Sequence, residues 1–147
     1  MKSAFQSIAE QIVAALVASP ALADGRVFVK RLRPLPVGVN TAIVVRWEQA
    51  AAQETVLGAH DWDTAFVVEC YSRGDATDPD HQAADALMVE AWARLARLDA
   101  STLGAMALAV NPSLDWEMVE ADTPAECVSI RLGVQHRTPV GSLNAWS

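Results

Sequence analysis

Apolar and polar positions along this chain recur with two different periods. From Phe5, the residues Ile8, Ala9, Ile12, Val13 and Leu16 return at helical spacing and line one face of an amphipathic helix. Ser3, with Gln6 three residues on, has the form of a capping box in which Gln6 reaches back to the start. Pro20 ends the helix, because a residue before proline is pushed out of helical geometry. A turn at Asp24-Gly25 leads into a short strand, Val27-Phe28-Val29. Residues 30–39 then read as a loop punctuated by Pro34, Pro36 and Gly38.

Thr41 to Trp47 is β-branched enough to predict a strand, followed by a long connection from Glu48 to His60. Trp62, Thr64, Phe66, Val68 and Cys70 then alternate with Asp63, Ala65, Val67, Glu69 and Tyr71, the two-residue period of a strand. Asp78-Pro79 announces a second helix, with a cap followed by a proline at its first position. Its buried stripe reads Ala84, Leu87, Met88, Ala91, Trp92, Leu95 and Leu98. Glu90 and Arg94 sit on its exposed flank at a favourable spacing. Met106–Val110 and Leu114–Val119 read as one strand broken at Asn111-Pro112, or as two pieces. In the last strand, Glu126 to Arg137, the row Val128, Ile130, Leu132, Val134 and His136 alternates with a polar row. One face is apolar, and the other is solvated or turned to a partner.

These elements predict an α+β fold. A single sheet of about five strands, antiparallel or mixed, carries two main helices on one face, in the order α-β-β-β-α-β-β. The whole chain, 1–147, reads as one domain with a loosely ordered C-terminal tail over 138–147.

Composition narrows the functional classes. Apolar residues make up 52% and charged residues 20%, so the chain can build a core without metal or disulfide. A net charge of −7 argues against direct DNA binding, which calls for a basic face. Cys70 and Cys127 lie far apart, each in a strand, and read as small buried thiols. No apolar run is long enough to span a membrane and no secretory leader is evident, so work in solution or in an assembly is expected.

Candidate chemistry is sparse. No glycine-rich phosphate loop, nucleophile elbow or paired-histidine motif is present. The strongest enzymatic alternative is a divalent-metal site built on Asp61 and Asp63, joined by Asp122, because carboxylates two apart on a strand share a face. No cofactor is implied. Arg26, Lys30, Arg31 and Arg33 form the one basic cluster and suit an acidic neighbour, including a second copy of this acidic chain. Of the five tryptophans, Trp47, Trp62 and Trp92 belong to regular elements. Trp116 could be core or surface, while Trp146 has no evident core to join and reads as an interface residue.

Several stretches together resemble the minor tail and tail-terminator proteins of long-tailed phages and prophages. They are Ser19-Pro20-Ala21-Leu22, Gly25-Arg26-Val27-Phe28, Arg31-Leu32-Arg33-Pro34-Leu35-Pro36 and Trp62 through Tyr71. Glu120-Ala121-Asp122-Thr123-Pro124 and the closing His136-Arg137-Thr138 complete the series, which covers nearly the whole chain. The resemblance implies a structural subunit without an active site. It would form a homo-oligomeric, often hexameric ring that caps the tail-tube protein and offers a surface to a head-completion or neck protein. Its place would be the virion tail, reached from the host cytoplasm during assembly. Neck proteins that join head to tail have similar size and class and stand as the alternative.

Overall fold

The computed structural model describes residues 2–29, 40–73, 82–108, 112–119 and 125–145. A first helix, α1 (Ala4–Val17), precedes a tight turn and the strands β1 (Val27–Val29), β2 (Thr41–Val56) and β3 (Ala59–Arg73). Helix α2 (Gln82–Leu95) and strands β4 (Ala107–Leu108), β5 (Ser113–Val119) and β6 (Ala125–Pro139) follow. The strands form one mixed sheet in the order β1-β2-β3-β6, with β4 and β5 both lying along the far edge of β6. β1 runs parallel to β2, and every other pair is antiparallel. This is the expected α+β class, with six strands rather than about five.

The helices cover one sheet face because the alternation along the strands makes that face apolar. Ile43 pairs with Cys70, which pairs with Val128; Val45, Val68 and Ile130 form the next rung, and Trp47, Phe66 and Leu132 the third. Against these rungs α1 buries Phe5, Ile8, Ala9, Ile12 and Leu16, and α2 buries Ala84, Leu87, Ala91 and Leu95. Hiding an apolar side chain of this size is worth about 1.5–3 kcal/mol, so these rungs carry the fold.

Local chemistry sets the helix ends. The Ser3 hydroxyl accepts from the Gln6 backbone amide at 3.1 Å, as a capping box requires, but the Gln6 side chain turns forward to Glu10 at 3.3 Å. At the other end of α1 no glycine cap follows. Instead the Arg94 guanidinium of α2 donates to the carbonyls of Ala15, Leu16, Ala18 and Pro20. It satisfies acceptors that a helix end leaves open and sets a cation at the negative end of the dipole. Arg94 therefore fastens α2 to α1 rather than decorating an exposed flank.

Two expectations need correction. The long connection from Glu48 to His60 is strand: β2 runs on to Val56 and turns through Leu57-Gly58 into β3, pairing Val56 with Ala59. Gly58 takes a φ of +77°, which glycine adopts at little cost. The segment read as a loose tail, 138–147, begins inside a strand. Thr138 and Pro139 lie in β6, Thr138 is fully buried and its hydroxyl accepts from Trp62 Nε1 at 2.9 Å. Beyond the strand, the amides of Val140 and Ala4 bond to the carbonyls of Gly58 and Leu143. Backbone pairing along β3 carries the chain past the point where side-chain alternation ends.

β4 and β5 each pair antiparallel with β6, on its far edge. Ala107 pairs with Gln135 and Ser113 with Arg131, so six steps on one side match four on β6 and two residues are extra. The Asp78-Pro79 helix start lies outside the described residues.

Candidate functional site

Among the described residues, the sheet face turned away from the helices holds most of the ion pairs. Arg46 on β2 donates to Glu48 and to Glu69 on β3, each at 2.8 Å. Arg131 on β6 reaches back to Glu48 at 2.8 Å and across to Asp115 on β5 at 2.7 Å. Charges thus alternate in sign across four strands. A register shift between Trp47 and Gln49 leaves Glu48 without a partner on β3, beside Arg46 in the network. Hydrogen bonds from Arg131 and then Arg46 pull the Glu48 carboxyl down to about 2. Glu69 also accepts from the Tyr71 hydroxyl at 3.1 Å.

Several polar groups that could do chemistry are held by neighbours or buried. Asp61 and Asp63 share this face, as strand spacing predicts, but Arg137 grips both oxygens of Asp61 at 2.6 and 3.0 Å. That pairing holds the Asp61 carboxyl below its usual range. Asp63 is exposed, opposite Ala51 and Gln135. Asp122 lies outside the described residues, among which no three His, Cys, Asp or Glu side chains cluster as metal ligands would. Burial pushes the Cys70 thiol up to about 12 and Cys127 up to about 11, so neither supplies a thiolate near neutral pH. His136 is buried against the edge of Phe5, with ring centroids 4.8 Å apart, and its Nε2 lies 2.8 Å from the Thr64 hydroxyl. Desolvation drives its pKa down to about 4.

The predicted basic cluster divides. Arg26 works within its own fold: Nε donates to the Thr41 carbonyl at 2.8 Å and Nη2 to the Thr41 hydroxyl at 3.1 Å, with Asp24 at 3.6 Å. It pins the start of β1 to the start of β2. Lys30, Arg31 and Arg33 lie outside the described residues, as does Trp146.

Among the exposed apolar side chains, which include Val17 and Val89 on the helices, two pairs stand at opposite ends of the sheet. At the hairpin tip, Leu57 is fully exposed and Val140 half exposed beside it. At the opposite end, Trp116 and Met118 stand on the helix side of β5, 56% and 52% exposed. Trp116 is thereby resolved as a surface residue. Met118 gave no signal in the sequence, because an apolar residue on an edge strand reads like any other strand position. Among the described residues no strand pairs with the free edge of β5, and no helix is long and apolar enough to cross a membrane. Neither known family models nor curated proteins gave a match to this chain.

Proposed function

We propose that this chain is a structural subunit of a long-tailed phage particle, a tail terminator whose copies close into a ring on the end of the tail tube. In that role it caps the tube, presents a surface to the head-completion or neck protein, and resides in the virion tail after assembly in the host cytoplasm. The observation that carries the reading is the placement of exposed apolar groups. Leu57 with Val140 and Trp116 with Met118 mark opposite ends of one sheet, leaving apolar surface for neighbours to cover. The committed state of the polar face supports it further, because Arg46, Arg131 and Arg137 are spent on holding strands together. The resemblance in the sequence supplies the kind of assembly.

Mixing the purified protein with polymerised tail-tube protein, and separately with isolated heads, tests the reading. Electron microscopy is expected to show density at tube ends and none along the walls. Density found only on isolated heads would instead favour the neck role, and binding to neither would contradict both.

A further inference from the structure

We infer that His136 is an acid-sensitive latch on α1. While neutral, its buried ring seats the first turn of the helix against the sheet, and a proton on its Nδ1 lets that turn lift locally. His136 lies in β6 opposite Trp62 of β3 and is only 1% exposed. Phe5 of α1 covers it edge-on, with ring centroids 4.8 Å apart, and meets Trp62 edge-on at 5.8 Å. One ring nitrogen, Nε2, lies 2.8 Å from the Thr64 hydroxyl. The other, Nδ1, is buried and has no hydrogen-bond partner among the described residues.

With its hydrogen on Nε2, the neutral ring donates to Thr64 and leaves only a bare acceptor at Nδ1. Protonation turns Nδ1 into a charged donor with nothing to receive its hydrogen. A buried charge left unpaired is far more unfavourable than an unpaired neutral acceptor. Among the described residues, no carboxylate on the surrounding elements is placed to offset that charge. On α1, Glu10 is held by Lys2 at 2.6 Å. Asp61 and Asp63 of β3 point to the opposite sheet face, as does Arg137 of β6, which grips Asp61. Asp85, Glu90, Arg97 and Asp99, on α2 and the turns after it, are exposed, and Arg94 is engaged at the far end of α1. His60 stands on the same face behind Trp62, 5.8 Å between centroids, and could add only positive charge.

The lid is the part that can yield. The ring is fixed within β6 by the ladder to β3, whereas Phe5 sits on a helix end, where the first amides lack intrahelical partners and fray. Few bonds fasten that turn. The Ser3 hydroxyl accepts from the Gln6 amide, the Ser3 carbonyl accepts from Ser7 at 3.0 Å, and the Ala4 amide donates to the Leu143 carbonyl at 2.8 Å. Lifting Phe5 lets water reach Nδ1 while the sheet stays paired.

Site-resolved hydrogen exchange on the intact chain tests this. As pH falls from 6.5, the ordinary pKa of histidine, to about 4, its folded value here, the Ala4 and Ser7 amides are expected to lose protection. The loss is about tenfold per pH unit, because one proton is taken up on opening. Dilute urea is expected to leave Ala4 and Ser7 unchanged while it speeds exchange at Phe66 and Ile130, which marks the opening as local. His136→Gln is expected to flatten the pH dependence and His60→Gln to keep it, and the wild-type slope decides alone if either variant fails to fold. Protection at Ala4 and Ser7 that stays flat with pH, or that shares the urea dependence of Phe66 and Ile130, would overturn the latch.

Discussion

The two faces of the central sheet are built from the same strands yet do different work. On the helix side, Phe66, Val68, Ile130 and Val134 are wholly buried under α1 and α2, and the free energy comes from apolar area removed from water. On the other side, Arg46, Glu48, Glu69, Arg131 and Asp115 join strands through charges that water still reaches, where each pair adds little. One face holds the fold together. The other fixes how strands line up, because like charges in a slipped register would repel.

The sharpest break in this comparison is Phe66→Ala, which leaves a cavity between Trp47 and the helices. A loss of about 3–5 kcal/mol is expected, read as a lower midpoint in chemical denaturation. A loss under 1 kcal/mol would mean that the helix side does not dominate stability.

Acid separates the two faces by window. The folded pKa of His136, about 4, lies below its ordinary 6.5, so the unfolded chain binds the proton first. Stability contributed by neutral His136 is complete above pH 6.5 and declines as pH falls toward 4. The loss is on the order of 3 kcal/mol at about 1.4 kcal/mol per unit. Glu48 acts lower: its carboxylate contributes fully above pH 4.5, and that contribution fades as pH falls toward about 2. Denaturation midpoints measured from pH 8 to 3 are expected to drop first between 6.5 and 4, and His136→Phe to remove that drop. An unchanged slope in the variant would assign the loss to other groups.

Glu48→Gln is the smallest perturbation. The pair is solvent-washed, so about 1 kcal/mol or less is expected at pH 7 and less again in high salt. A loss above 2 kcal/mol would make the polar face as important to stability as the apolar one.

Periodicity recorded in the sequence what the core required. The stripe from Phe5 to Leu16, the paired rows of β3 and β6, and the α2 stripe each show which face is hidden. Strand β2 past Trp47 was not legible, because Ala50-Ala51-Ala52-Gln53 has no alternation and is held by backbone pairing to β3. Contacts that depend on the assembled fold were silent as well. Nothing near Arg94 reveals that its partners lie at the end of α1, nor does Arg26 announce Thr41. For the candidate site, the charges at 26–33 were visible as composition. The β5 edge carrying Trp116, which no described strand pairs with, emerged only once β5 was placed beyond β6.

Mass and shape in solution test the proposed ring most directly. Native mass spectrometry with negative-stain electron microscopy is predicted to show one closed ring, hexameric in the form the resemblance implies, that loosens as salt rises. A protein that remains monomeric at every concentration, or that grows into open fibres of no fixed size, would contradict it.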